Sequence, residues 1–263
     1  MMKAGDGGAP ESDKCPDKAA EVSTAMRVSE PLPNRKSEPA LLELAGAAFI
    51  ADPAGALFWP KEQLLVLADL HFEKGSAYGA KRIFLPPYDT AATLTRLEEV
   101  MVRLNPRRII ALGDSFHDRQ GSARLAPQDR AKIRSLQRGR DWIWIMGNHD
   151  PMPPADLQGD VVEELALGPV HFRHEPRSGA SEGEIAGHLH PVARVVGRAG
   201  SVRRRCFVSD GMRCVLPAFG AYAGGLNLHD AAFAALFGRR ELYAHVMGRE
   251  RVYRVSHKNC LPD

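Results

Sequence analysis

Three short, unbroken apolar runs mark the middle of the chain: Leu64-Leu65-Val66-Leu67-Ala68, Ile109-Ile110-Ala111-Leu112 and Trp142-Ile143-Trp144-Ile145-Met146. Runs of this length without polar alternation predict strands covered on both faces. Between the first two, residues 89–104 place Ala92, Leu94, Leu97, Val100, Met101 and Leu104 on one helical face. Asp89 is positioned to cap that helix and Asn105-Pro106 to stop it. A second helix is expected from Pro127. Strand, helix, strand, helix, strand is the rhythm of an α/β fold.

Outside this region the pattern changes twice. Residues 42–50 predict an opening strand with a bend, Pro53-Ala54-Gly55 a turn, and Leu57-Phe58-Trp59 a hairpin partner. Beyond Pro169 only short strand-like runs follow, at 171–172, 184–186, 192–196, 205–208 and 213–216. They predict a mainly antiparallel second sheet, with a short helix at 230–237 and a last strand around 252–255. Residues 40–263 are therefore expected to form one domain with two layered sheets. Residues 1–39 are rich in Gly, Pro, Ser, Lys and Glu and lack apolar periodicity, which predicts a disordered extension. Met26 offers an alternative start within it.

Composition narrows the class. A 263-residue chain that is 44% hydrophobic can bury a sizeable core. A net charge of +3 tolerates an anionic substrate without the concentrated basic face of a strong nucleic-acid binder. Cys15, Cys206, Cys214 and Cys260 lack the paired CxxC spacing of a zinc site and are too few for a disulfide framework. Reduced thiols in the cytoplasm are the expectation. No run reaches the roughly 20 apolar residues of a membrane span, and no secretory h-region follows the N-terminus.

The chemistry sits where the apolar runs stop. Asp69-Leu70-His71 follows the first run, Gly113-Asp114 the second and Gly147-Asn148-His149-Asp150 the third. Downstream lie His174 and Gly187-His188-Leu189-His190. The local run His171-Phe172-Arg173-His174 offers two histidines, of which His174 is the preferred ligand. Carboxylates, imidazoles and an amide without thiolate suit Mn²⁺ or Fe, with Zn²⁺ as a further candidate. Alternation should let Asp69 and His71 face one ion from an extended segment, and His188 and His190 do the same. Asp114, after a glycine that permits a tight bend, is the bridging candidate.

Two divalent ions about 3.5–4 Å apart solve the three problems of phosphate-ester hydrolysis together: nucleophile, phosphoryl charge and leaving oxygen. With only Asp69 and Asp114 as carboxylates, such a pair keeps net positive charge, which favours a phosphate anion. His149 cannot easily share an ion with its neighbour Asn148 and is better placed as a general acid, with Asp150 orienting its ring.

In sum, Asp-x-His, Gly-Asp-x-x-His, Gly-Asn-His-Asp, His and Gly-His-x-His resemble the calcineurin-like metallophosphoesterase superfamily. The resemblance implies an α/β (by some schemes α+β) fold, a four-layer αββα sandwich of two mixed sheets flanked by helices. It also implies that Asp69, His71, Asp114 and His190 hold one metal, and Asp114, Asn148, His174 and His188 the other. The segments Asp69-Leu70-His71-Phe72-Glu73-Lys74-Gly75 and Gly113-Asp114-Ser115-Phe116-His117-Asp118 are more narrowly similar to the bacterial ligase-associated DNA-damage-response phosphoesterases (the PdeM family). So is the stretch from Leu216-Pro217-Ala218-Phe219-Gly220 to Gly224-Gly225-Leu226-Asn227. That similarity implies a Mn²⁺-dependent endonuclease or phosphodiesterase acting on DNA beside a DNA ligase and a helicase.

Further residues carry weaker expectations. By resemblance His117 contacts phosphate or supports a metal ligand, and Arg119 could bind phosphate through two N–H groups. Lys74, Lys81 and Arg82 could follow a nucleic-acid backbone. Arg203-Arg204-Arg205 reads as a solvent face, and Trp142 and Trp144 as core.

Overall fold

The protein is described here by a computed structural model covering residues 40–263 except 84, 151–155, 180, 198–199 and 239. The expected extension at 1–39 lies outside the described residues. The first sheet takes its seven strands in chain order: β1 (Ala40–Leu44), β2 (Ala47–Ala51), β3 (Leu57–Trp59), β4 (Leu64–Leu67), β5 (Arg108–Leu112), β6 (Asp141–Ile145) and β7 (Asp160–Val162). The first four pair antiparallel, and β4 to β7 pair parallel. The expected bend at Ala45-Gly46 is a hairpin turn with both residues at positive φ, 47° and 76°.

Helices α1 (Lys74–Ala80), α2 (Asp89–Leu104), α3 (Gly121–Arg124) and α4 (Pro127–Gln137) fall between these strands. The α2 boundaries match the periodicity, but Asp89 does not cap it. Tyr88 is the cap residue, and the Asp89 carboxylate instead accepts from Gly75 N–H at 3.0 Å, tying α2 to α1. Helix α1 has no counterpart among the elements that the sequence pattern predicts. Its Gly-Ser-Ala-Tyr-Gly sequence has little apolar periodicity, and its contacts with α2 and α3 sustain it instead.

The second sheet has ten strands: β8 (Glu164–Leu167), β9 (Val170–Arg173), β10 (Glu184–Ala186), β11 (Pro191–Gly197), β12 (Gly200–Ser209), β13 (Arg213–Val215), β14 (Leu226–Asn227), β15 (Tyr243–Met247), β16 (Val252–Ser256) and β17 (Cys260–Leu261). It is mainly antiparallel, as expected, with a parallel core that makes it mixed. β9, β10 and β13 run parallel, whereas β11, β12, β15 and β16 pair antiparallel. The short helix, α5 (Ala231–Phe237), is capped by the Asp230 side chain, which accepts from Ala232 N–H at 2.9 Å.

Strand alternation explains the layers. Leu64, Val66, Ile110, Leu112 and Ile145 meet Phe172, Ile185, Phe207, Cys214 and Leu216 between the two sheets. Leu65, Leu67, Ile109, Trp142 and Trp144 face outward onto Leu94, Leu97 and Met101 of α2 and Ile133 and Leu136 of α4. Behind the second sheet, Phe233 and Phe237 of α5 cover Cys206, Val208 and Val246. The result is the expected αββα sandwich, with Trp142 and Trp144 in the core.

The parallel strands of the second sheet are locked by buried charge. Glu184 on β10 is fully buried, paired with Arg213 of β13 and 3.4 Å from Arg173 of β9. The Arg213 guanidinium also donates to the carbonyls of Leu236, Arg177 and Gly179. Removing one partner of such a group leaves buried charge uncompensated. Glu184→Gln is expected to cost about 3–5 kcal/mol in urea unfolding; a loss below about 1 kcal/mol would show that the ion group does not hold these strands.

Candidate metal centre

The carboxyl ends of β4, β5 and β6 lie side by side, with Leu67 beside Ala111 and Leu112 beside Ile145. Residues 69–71, 113–114 and 147–150 therefore leave the sheet at one edge. In the other sheet Arg173 sits beside Ala186, so His174 and Gly187-His188 also emerge together. The two edges are joined directly: Asp69 Oδ2 accepts from His188 N–H at 2.9 Å.

The backbone turns sharply as soon as each strand ends. Asp69, His71, Asp114, His188 and His190 all take left-handed φ values, between 45° and 69°. Left-handed backbone at non-glycine residues costs about 1–3 kcal/mol each and persists only where the surroundings enforce it. The extended presentation expected for Asp69/His71 and His188/His190 is thus replaced by curled loops. Curling brings both side chains of each pair inward where a straight strand would carry them past the site.

Two groups of ligand atoms result, each with its members within 4.8 Å: Asp69, His71 and His190, and Asp114, His174 and His188. In the first, His190 Nε2 lies 3.3 Å from both His71 Nε2 and Asp69 Oδ1. In the second, His174 Nε2 lies 2.8 Å from Asn148 Oδ1, 3.2 Å from His188 Nδ1 and 3.5 Å from Asp114 Oδ1. The groups adjoin, with His174 Nδ1 at 3.8 Å from Asp69 Oδ1. His171, the alternative to His174, is exposed on the strand.

The donor set fits cations. His174 Nδ1 is 2.9 Å from the Leu112 carbonyl, which only accepts, so that nitrogen carries the ring proton. In the neutral ring Nε2 is then a lone pair with three acceptor-bearing groups around it. One proton can bridge only one of these contacts, whereas a cation satisfies all of them. Asp69 Oδ1 is likewise buried without a hydrogen-bond partner. Burial pushes the His71 pKa down to about 3 against the pull of the Asp69 charge, keeping its ring neutral. Burial works to raise Asp69, but contact with His190 and the charges of His190, His174 and His71 outweigh it and hold the carboxyl low.

His149 stands apart from both groups, exposed, with Nε2 3.8 Å from Asp114 Oδ2. Its backbone N–H donates to Asp114 Oδ1 at 2.9 Å. The ring is oriented differently from expectation. Nδ1 faces the His117 carbonyl at 2.9 Å, whereas Asp150 Oδ2 turns inward to accept from Phe116 N–H at 2.8 Å. Asp150 therefore braces the Asp114–Phe116 loop rather than the His149 imidazole. Burial raises its carboxyl to about 8, with the Asp114 charge adding to the rise against the Phe116 N–H.

His117 stacks on His149 at 5.5 Å between ring centroids and meets His71 edge-on at the same separation. Burial and the neighbouring charges of Lys74, His149 and Lys81 push its pKa down to about 4. Lys74 is half-buried on α1, and Arg119, Lys81 and Arg82 are exposed. Arg205 departs from the expected solvent face. Its guanidinium is half-buried and donates to the carbonyls of Ala218, Ala221 and Ala223 at 3.0–3.2 Å. It holds the segment after β13 against the centre, where Phe219 N–H reaches the Ala68 carbonyl and Leu226 N–H the His190 carbonyl. A triple-arginine run gives no sign in sequence of which member turns inward.

The family model for calcineurin-like phosphoesterases matches residues 63–211. This chain belongs to that family. Its members hydrolyse phosphate esters with a dinuclear metal centre, and the two ligand groups here are its candidate counterpart. The solved structure of the Pseudomonas putida nuclease MPE is similar at 32% identity and a TM-score of 0.63, over 83% of this chain and 100% of that one. A phosphoesterase from E. coli, Yfce, matches at 11% identity and a TM-score of 0.37, over 73% of this chain and 98% of that one. No curated protein matches.

Two expectations follow from the geometry. Gly113 has φ 70°, and a Cβ there would stand 2.6 Å from the His174 ring. Mn²⁺ at a hundredfold its Kd should stabilise the wild type by about 2.7 kcal/mol, and Gly113→Ala should lose most of that rise in thermal unfolding. An undiminished rise would mean that His174 does not need this approach. The depressed His71 pKa contributes stability above its ordinary 6.5 that is lost as pH falls toward about 3. In chelator, urea midpoints should therefore fall more steeply on acidification for wild type than for His71→Asn; parallel curves would contradict it.

Proposed function

We propose that this chain is a phosphodiesterase that cleaves DNA, using two divalent ions, Mn²⁺ foremost with Fe or Zn²⁺ as substitutes. Asp69, His71, Asp114 and His190 would hold one ion, and Asp114, Asn148, His174 and His188 the other. Bound there, the ions supply charge to the phosphoryl oxygens and ease deprotonation of the attacking water. The observation that carries the reading is the adjacency of the two ligand groups at one sheet edge. The nuclease named among the similar structures supports a nucleic-acid substrate, and the narrower family resemblance favours DNA.

The residues around the ions have separable tasks. His149 presents Nε2 to the site while its Nδ1 proton is fixed on the His117 carbonyl. A second proton, held at Nε2, can pass to the leaving oxygen, the role of a general acid. Its exposure gives that oxygen access. Asp150 supports this indirectly through Phe116 and the loop that carries Asp114. Lys74, His117 and Arg119 serve the substrate's phosphates or its flanking groups. Functional association with a DNA ligase and a helicase belongs to the same reading and rests on the narrower family resemblance, and the cytoplasm as its place rests on the cysteine usage. No helix among the described residues is long and apolar enough to cross a membrane.

His149→Ala should keep its metals and lose turnover by about 10²–10⁴-fold on oligonucleotides, with a much smaller loss on bis(p-nitrophenyl) phosphate, whose leaving group needs no proton. Equal losses on both would remove the general-acid role. Turnover of nucleotides or cyclic nucleotides in strong preference to DNA would replace the substrate while leaving the reaction.

A further inference from the structure

We propose that Tyr78 and His117 form a shelf that receives a nucleobase of the substrate strand, on the leaving side of the scissile bond. The inference rests on the phosphodiesterase reading above and adds to it a subsite on α1. Four rings cluster at the metal ligands, with His71, His149 and His117 at the corners of a triangle and Tyr78 beyond His117. His71 meets His149 edge-on at 5.5 Å, His149 stacks on His117 at 5.5 Å and 23°, and Tyr78 lies 5.6 Å beyond at 36°. Lys74 Nζ sits 5.9 Å over the Tyr78 ring.

A tyrosine near the end of a short helix is more often packing than recognition. Here the packing explanation is weak. Tyr78 belongs to none of the three apolar cores of the described residues. It is half-buried, and the ring beside it is an imidazole rather than a core side chain. The helix is also held rigidly with respect to the site. Glu73 is buried and accepts from Ser76 Oγ at 2.7 Å and Thr90 Oγ1 at 3.0 Å, while Gly75 N–H donates to Asp89. Arg124 donates to Ser76 at 2.9 Å and to both oxygens of Asp118, joining α1 to the loop that carries His117.

The chemistry of these rings points to the shelf's occupant. Every base has a π face, so an aromatic shelf accepts any of them, and a nearby cation completes the contact with the strand. His117 stacks on His149 and its carbonyl holds the His149 ring, the group placed to protonate the leaving oxygen, which sets the shelf on the leaving nucleotide's side. Lys74 then reaches toward the next phosphate, and exposed Lys81 and Arg82 follow on the loop whose Ile83 N–H returns to the Tyr78 carbonyl.

The test compares, for the Mn²⁺-loaded full chain, an oligothymidylate with a strand of equal length whose sugars are all abasic. Wild type should cleave the base-bearing strand about tenfold more efficiently in kcat/KM. Tyr78→Phe should keep the preference and Tyr78→Ala should bring it close to one. Loss of a preference, unlike loss of rate, does not follow from a merely weakened fold. If wild type cleaves both strands equally, or if Tyr78→Ala keeps the preference, the shelf is wrong and the phosphodiesterase reading stands. If wild type cleaves neither strand, both fall.

Discussion

The hydrogen bond from His188 N–H to Asp69 Oδ2 is the contact on which the rest depends. It joins the two sheets where both end and fixes the distance between the ligand groups. Gly187 makes it possible, because a Cβ there would stand 2.6 Å from the same carboxylate oxygen. Asp69 is fully buried, so its charge must be met by neighbours: a backbone N–H on one oxygen and three imidazoles around the other. Such an arrangement is costly without cations. The left-handed turns at five candidate ligand positions carry the same message in the backbone.

The fold converts strand order into chemistry. Parallel pairing of β4, β5 and β6 aligns three carboxyl ends, and parallel pairing of β9, β10 and β13 aligns three more. The Glu184 ion group keeps the second set in register, and Arg205 keeps the segment after β13 folded over the first. Glu184 thereby sets where the segments bearing His174 and His188 leave the sheet, and Arg205 braces a segment that bonds to the Ala68 and His190 carbonyls.

Much of this was legible in the sequence, for identifiable reasons. Continuous apolar runs reported strands buried on both faces, and the groups that follow them reported where chemistry would lie. The α2 boundaries followed from periodicity and its Asn-Pro stop. What escaped were features set by tertiary contact. Helix α1 lacks an apolar stripe and is sustained by Asp89 and Glu73. The parallel trio β9, β10 and β13 inside the mainly antiparallel second sheet went unread because short strands reveal no direction. The ring partner of His149 is a backbone carbonyl, which no side-chain pattern encodes, so Asp150 was the natural but incorrect choice. Arg205 differs from its neighbours only in the direction its strand face takes.

A shared Asp114 between two neighbouring ions is the central claim, and electron paramagnetic resonance of the Mn²⁺-loaded protein tests it most directly. Two ions bridged by one carboxylate couple magnetically. The expected result is the multiline spectrum of a coupled pair at two Mn²⁺ per chain, giving way to an uncoupled six-line signal in Asp114→Ala. A six-line signal from wild type at saturating Mn²⁺ would contradict it.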